Sequence, residues 1–303
     1  MDRRSRRLFC HRDGAVIVAR AAHELPPAER AVAIGTFDGV HRGHQAVIGA
    51  ARASGLRSCV VTFHPHPREV LGYEVQLLTT YERRVELIGE LRPDDALVVE
   101  FTHELARLSP EEFVSRVLEP LGTKIVLAGE NFRFGHGRRG DIRLLARLGF
   151  EVRPVALVDG VSSSLIREAL RTGDVRRAAT MLGRPPELEG LVVSGDRRGG
   201  TLGYPTANLA VPANLLVPAY GIYAGEALGH RAALSIGVNP HYGGQERRIE
   251  AFLLEYDGDL YGTQLRVALW ERLRDERSFE SEQALIEQIG RDVARAREAS
   301  RPV

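Results

Sequence analysis

Two histidines three residues apart stand in Gly35-Thr36-Phe37-Asp38-Gly39-Val40-His41-Arg42-Gly43-His44-Gln45, directly after the apolar run at residues 31–34. The order reads as a strand, a glycine-hinged turn and the first turn of a helix, and the spacing puts both imidazoles on one helix face. At a helix start the unpaired backbone N–H groups and the positive dipole end favour a phosphate. Gly35, Gly39 and Gly43 let backbone approach a ligand with no Cβ in the way. The segment therefore predicts a nucleotide triphosphate site, with Thr36, Phe37 and Asp38 in its turn. A zinc site on the same histidines is disfavoured, because Cys10 and Cys59 are distant and no His-Glu-x-x-His pattern is present.

Val161-Ser162-Ser163-Ser164-Leu165-Ile166-Arg167 supplies a second phosphate-binding helix start. A serine N-cap satisfies an orphan N–H, and the hydroxyls of Ser163 and Ser164 with Arg167 suit a leaving pyrophosphate. Between the two helix starts, Thr62-Phe63-His64-Pro65-His66-Pro67 ends a strand in a proline-stiffened loop that carries His66. Gly129-Glu130-Asn131-Phe132-Arg133-Phe134-Gly135 offers Asn131, Arg133 and two aromatic rings to a ligand ring with polar edges. Residues 135–140 also fit Gly-x-Gly-x-x-Gly, with Asp159 further on, but Phe132-Arg133-Phe134 intervenes after the strand, so a dinucleotide site is not expected there.

Further along, a glycine- and arginine-rich loop from Gly195 to Gly203 leads into Tyr204-Pro205-Thr206-Ala207-Asn208. Lys124 lacks the glycine that a Walker A sequence places before its lysine, so any phosphoryl transfer must use other parts. On an extended segment Thr206 and Asn208 face the same way and can offer a hydroxyl and an amide oxygen to Mg²⁺. Glu250, within the apolar stretch Ile249-Glu250-Ala251-Phe252-Leu253-Leu254, is either the solvent-facing member of an alternating strand or a general base in a cleft.

The elements that must position these groups fall into two patterns. Strand-like runs at 31–34, 58–63, 96–100, 124–128 and 152–157 alternate with helical periodicity at 43–54, 80–91, 109–121 and 142–148. That alternation implies a parallel sheet with helices on its faces, whose ligands bind beyond the carboxyl ends of the strands. Near residue 185 the helices stop. Short, turn-bounded strands follow at 188–194, 222–227, 231–236, 249–255 and 264–269, which read as an antiparallel barrel or sandwich. A helix closes the chain at 281–298, with Leu285, Ile286, Ile289 and Val293 as its apolar face. Two domains, 1–186 and 187–303, are expected, as suits a chain of 303 residues.

Composition excludes several classes. Hydrophobic residues make up 44% and charged residues 27%, as in ordinary globular domains, and a net charge of +1 gives no basic field for nucleic acid or membrane. Two cysteines are too few for a disulfide framework. Arg3, Arg4, Arg6 and Arg7 are not followed by an apolar segment, so a signal peptide is not expected and the expected location is the cytoplasm.

The segment at 35–44 resembles the His-x-Gly-His motif of the nucleotidyltransferase superfamily. With Thr-Phe-His-Pro-His-Pro, Gly-Glu-Asn-Phe-Arg-Phe-Gly and Ser-Ser-Ser-Leu-Ile-Arg in order, it resembles the adenylyltransferase half of the prokaryotic bifunctional riboflavin kinase/FMN adenylyltransferase (FAD synthetase) family. Pro205-Thr206-Ala207-Asn208, Glu250, Asp259-Leu260-Tyr261-Gly262 and Leu273-Arg274-Asp275-Glu276-Arg277-Ser278-Phe279 resemble its riboflavin kinase half. The resemblance implies a Rossmann-like nucleotidyltransferase domain followed by an antiparallel β-barrel kinase domain with a terminal helix. It implies ATP as co-substrate, Mg²⁺ as cofactor, and riboflavin and FMN as substrates. Thr206 and Asn208 would hold Mg-ATP and Glu250 would activate the riboflavin 5′-hydroxyl, while His41, His44, Ser163, Ser164 and Arg167 would serve adenylyl transfer. Two departures fall in the kinase half: Asn239 is followed by Pro240-His241 where the family commonly has Pro-Thr, and Gly200 stands where Arg or Lys is common. A monofunctional FAD synthetase with a decayed kinase domain, or a non-catalytic flavin-binding protein, are the alternatives at this point.

Overall fold

A glycine turn can present two histidines only if the strand before it and the helix after it are both anchored. The computed structural model describes residues 7–11, 14–194, 204–238 and 247–303. The chain divides into two compact units, Met1–Val75 with Tyr81–Val161, and Gln76–Thr80 with Ser162–Val303.

In the first unit the strands are β1 (Arg7–His11), β2 (Gly14–Ala19), β3 (Arg30–Ile34), β4 (Arg57–His64), β5 (Asp95–Glu100), β6 (Thr123–Gly129), the short hairpin β7 (Arg133–Phe134) and β8 (Gly140–Asp141), and β9 (Glu151–Val155). The helices are α1 (Arg42–Arg52), α2 (Pro67–Val70), α3 (Tyr81–Glu90), α4 (His103–Arg107), α5 (Pro110–Phe113) and α6 (Ile142–Arg147). One sheet runs in the order β1-β2-β5-β4-β3-β6-β9. From β2 to β9 every neighbouring pair is parallel, and β1 adds an antiparallel edge. The central strands are buried on both faces. Ala31 and Ala33 join a core with Val47 and Ile48 of α1 and Val85 and Ile88 of α3. Val32 and Ile34 join the opposite core with Phe113, Leu118 and Leu145. A strand covered on both sides reads as a continuous apolar run, which is why residues 31–34 were legible.

Two features depart from the sequence expectation here. The β1–β2 hairpin was not foreseen. The helix expected at 109–121 is α5, opened by a capping box of Ser109 and Glu112, then a π turn at Val114–Leu118 and a 3₁₀ turn at Glu119–Leu121. Pro120, with no N–H to donate, lies where the hydrogen-bond spacing changes.

The second unit holds α7 (Ser163–Arg171), α8 (Val175–Leu182), β10 (Glu187–Val193), β11 (Ala207–Ala210), β12 (Gly221–Ala227), β13 (His230–Val238), β14 (Arg247–Leu253), β15 (Gln264–Arg274) and α9 (Glu282–Glu298). Among the described residues the six strands close into an antiparallel barrel, β10-β11-β14-β13-β12-β15, with β15 paired back to β10. Leu188, Leu234, Ile236, Ala251 and Val267 are buried at alternate positions, as a filled barrel requires. The division expected after residue 186 followed the change in patterning. Compactness divides the chain earlier, because α7 and α8 pack together and α8 packs on β15. In α9 the expected apolar face is only half-buried, and Gln288, Asp292 and Ala296 are the buried positions. Arg274 at the end of β15 meets Asp292 in a forked pair at 2.9 and 2.7 Å, and Gln288 donates to the same carboxylate at 2.8 Å. A charge-assisted fork joins the apolar packing of Ala296 on Trp270 and Leu273 in orienting that helix.

At the amino ends of β3, β4 and β5, Arg30 and Arg57 both donate to the fully buried Asp95, at 2.9 and 2.8 Å. Arg30 also donates to the Leu121 carbonyl at 2.7 Å. Removing one member of a buried ionic group strands the others in low dielectric, a cost of about 3–5 kcal/mol. Asp95→Ala should therefore lower the stability of the first unit by about that amount, read as a fall in its urea unfolding midpoint. A loss under about 1 kcal/mol would give this network the weight of a surface ion pair.

Candidate active sites

Leaving β3, the chain goes next to β4 on one side, and leaving β6 it goes to β9 on the other, so the strand order reverses between β3 and β6. The carboxyl ends of two such strands open a crevice for a ligand. The 35–41 turn leaves β3 there, and the Asn131 segment leaves β6.

The turn is tightly pinned. The Gly35 N–H donates to Val61 O and the Val40 N–H to Phe37 O. The Thr36 carbonyl accepts from the Thr62 hydroxyl at 3.1 Å and from Arg84 Nη1 at 3.1 Å. Phe37, Gly39 and Val40 have φ of 51°, 79° and 41°. A β-branched residue in that region is strained, a condition tolerated where the surroundings hold it and concentrated at functional turns. His41 is the N-cap of α1, with Nδ1 accepting the His44 N–H at 3.3 Å. That acceptor role leaves the imidazole proton of neutral His41 on Nε2. The His41 and His44 rings stack with centroids 3.6 Å apart, and Phe37 meets His44 edge-on at 5.2 Å. A Cβ at Gly43 would press on the His41 ring at 3.2 Å, so glycine permits this geometry. His44 Nδ1 is buried without a hydrogen-bond partner. Burial, then the neighbouring His41 and Arg84, hold the His44 pKa well below its ordinary value.

Of the other residues expected in this chemistry, Asp38 is buried and faces Arg84. His66 is buried and caps α2, accepting the Arg68 N–H at Nδ1 while Glu69 accepts the His66 N–H. Asn131 and Arg133 are exposed, and Arg133 lines a cleft of about 410 Å³ with Glu130, Asp141, Ile142, Arg143 and Pro154. The Gly-x-Gly-x-x-Gly match forms the link between β7 and β8, not a strand-to-helix turn. Ser162 takes the N-cap of α7, which leaves Ser163 and Ser164 in the first turn. Ser163, Ser164 and Arg167 belong to the second unit, where Arg167 Nε donates to the Gln76 carbonyl at 2.7 Å.

On the barrel, Asn208 of β11 and Ser235 of β13 pair directly with Glu250 of β14, one on each side. Ile249 and Ala251 are buried, so Glu250 is on the outer face, where it lines a cavity of about 210 Å³ with Ser235, Gly237, Val238, Arg248 and Glu276. Arg248 Nη1 lies 3.5 Å from the Glu250 carboxylate. Glu276 accepts the Val238 N–H at 3.3 Å, which brings the 273–279 segment to this cavity. Both readings of Glu250 thus meet in one residue: it alternates outward, and outward is a cleft. Thr206 is the residue before β11 and two before Asn208. Ser235, Arg248 and Glu276 were not singled out as site residues; Glu276 lay in a quoted motif, whereas Ser235 and Arg248 are placed by strand register that no local pattern reveals. Gly195, Gly203, Gly200 and Asn239-Pro240-His241 lie outside the described residues.

A family model described as FAD synthetase matches residues 24–165, and one described as riboflavin kinase matches residues 182–300. The bifunctional riboflavin kinase/FMN adenylyltransferase of Bacillus subtilis (strain 168) is 35% identical over 300 residues, covering 90% of this chain and 94% of its own. The chain belongs to this bifunctional family. The member from Escherichia coli (strain K12) is 34% identical over 302 residues, covering 92% and 96% of the two chains. A crystal structure from Streptococcus pneumoniae, described as a macrolide-efflux protein, is 29% identical with a TM-score of 0.84, covering 94% of this chain and 99% of that one. Among the described residues no helix here is long and apolar enough to cross a membrane.

The depressed pKa of His44 makes stability depend on pH with a definite sign. As pH falls through the ordinary value of 6.5, the unfolded chain takes up this proton first, so the group's contribution is present above that pH and lost below it. The unfolding free energy should fall as pH drops below about 6.5, by up to about 1.4 kcal/mol per pH unit from this group, read from urea unfolding, and His44→Asn should flatten that slope. An unchanged slope would mean that the imidazole is hydrated in solution.

Proposed function

We infer that this chain makes FAD in two ATP-dependent steps, riboflavin to FMN and FMN to FAD. The observation that carries the reading is that one chain keeps both constellations: stacked histidines over a helix start at the switch point, and Glu250 between Asn208 and Ser235 at an oxygen-lined cleft. We assign adenylyl transfer to 1–186 and phosphorylation to 187–303.

In the kinase step Glu250 takes the proton of the riboflavin 5′-hydroxyl, the oxygen bonds to the γ-phosphorus of ATP, and ADP leaves. The Thr206 hydroxyl and Asn208 amide oxygen are hard donors two residues apart on one extended segment, a fit for Mg²⁺, which would take few protein ligands and fill the rest with phosphates and water. Mg²⁺ there supplies neutralisation of phosphate charge. In the adenylyl step an FMN phosphate oxygen bonds to the α-phosphorus of ATP, the bond to the β-phosphate oxygen breaks, and pyrophosphate leaves. His41, His44 and the backbone of Gly35, Thr36, Phe37, Asp38, Gly39 and Gly43 cradle the phosphates, and the family resemblance gives Ser163, Ser164 and Arg167 a part in the same step. His66, Asn131 and Arg133 take the flavin or adenine, and Gly195 and Gly203 border the kinase nucleotide. Neither step needs a covalent enzyme intermediate; positioning and electrostatics suffice. A cytoplasmic location, where ATP is made, belongs to the same reading.

Incubation with riboflavin, ATP and Mg²⁺, followed by chromatography, tests it. FMN and FAD together support it, FAD only from supplied FMN means a decayed kinase half, and no product means binding without turnover. Two variants separate the steps. Glu250→Gln should lower the kcat of FMN formation by about 10²–10⁴-fold and leave FAD formation from FMN unchanged. His44→Ala should lower FAD formation by about 10²–10³-fold and spare FMN formation. Equal losses in both reactions for either variant would contradict the assignment.

A further inference from the structure

Arg84 on α3 looks like an ordinary charged helix residue, yet it is 3% exposed. Its neighbour Arg83 is also buried and is answered by Glu86 and Glu90. Arg84 instead donates Nη1 to the Thr36 carbonyl at 3.1 Å and Nη2 to the Phe63 carbonyl at 2.8 Å, and its buried Nε has no partner. Thr36 is the second residue after β3, in the histidine turn, and Phe63 is the last residue but one of β4. The hydrogen-bond acceptors of Arg84 are thus two neutral backbone carbonyls, while the carboxylates near it act only through space. The groups that face it are Asp38 of the turn, Tyr81 and Glu82 of its own helix, Glu69 of α2, His44 of α1 and His64 of β4. His64 also faces Arg20, and its ring meets Tyr81 at 4.2 Å.

We propose that Arg84 is a positioning residue for adenylyl transfer: it clamps the carbonyl ends of Thr36 and Phe63, fixes the turn that carries His41 and His44, and holds a permanent positive charge behind the triphosphate. This rests on the adenylyl-transfer reading. The same charge is among the causes that lower the pKa of His44 and of His64. Lysine can keep the charge but not the two-pronged grip, since only the guanidinium presents a planar fork.

The full-length chain with Arg84→Met and with Arg84→Lys separates these roles. Arg84→Met should lower the kcat of FAD formation from FMN and ATP by about tenfold or more while FMN formation stays near wild type, the loss that slight misplacement of reacting groups produces. The His44 titration, followed by NMR, should rise in Arg84→Met, though burial and His41 still hold it below the ordinary imidazole value, and should not rise in Arg84→Lys, which should still lose kcat. Wild-type FAD formation in either folded variant would overturn the proposal. So would an equal fall of both activities in Arg84→Met, which marks a general structural role. If Arg84→Met does not fold, Arg84→Lys decides alone by its kcat for FAD formation. Absence of FAD with the unaltered chain would overturn the parent reading, and the His44 titration would still decide whether Arg84 governs that imidazole.

Discussion

Burial of β3 on both faces fixes where the first unit can do chemistry. A strand covered above and below offers only its two ends, and the sequence uses them differently. At the amino end Arg30 joins Arg57 on Asp95, a buried ionic group that registers three parallel strands. At the carboxyl end the backbone turns through left-handed positions and enters α1 with His41 as its cap. The first end tolerates nothing but stability, and the second has polar groups whose demands the fold alone does not meet. His44 Nδ1 and Arg84 Nε are buried there without partners. An unfilled Arg84 Nε–H, an unpartnered His44 Nδ1 and the start of α1 lie together at this end, where the proposed triphosphate site is.

The barrel meets the same problem in another way. Among the described residues its interior is filled by side chains, and strand alternation puts the proposed base on the outer face. Ile249 and Ala251 point in; Glu250 between them points out, flanked by Asn208 and Ser235 on neighbouring strands. The Arg274–Asp292 fork fixes α9 at the end of β15, just before the segment whose Glu276 reaches back to Val238. A rigid sheet therefore carries the proposed base, and a segment tied to two elements walls its cavity.

What could be read from the sequence was what is local. The histidine pair was legible because i, i+3 spacing and three glycines sit within eleven residues, and 31–34 because double burial removes alternation. Ser235 was not, because it meets Glu250 through register between β13 and β14. Arg84 was not, because a charge on a helix reads as solvent-facing unless its burial is known. The same habit misread α9, where Leu285 and Ile289 outbid Gln288 and Asp292 on hydropathy although the polar pair is the buried one. Helices α7 and α8 were grouped by pattern with the first half, but they are compact with the barrel, a matter of long-range packing.

The account's central claim is that one chain performs two phosphorus transfers at two separate sites, and label transfer tests it most directly. Given riboflavin, Mg²⁺ and ATP carrying distinguishable isotopes at the α- and γ-phosphorus, the chain should form FMN labelled only from the γ position. The FAD should carry one phosphorus from each position, with the α label in its adenylate half, and pyrophosphate should accumulate with FAD. FAD that lacks the γ label, or riboflavin left unconverted while supplied FMN is adenylylated, would contradict it.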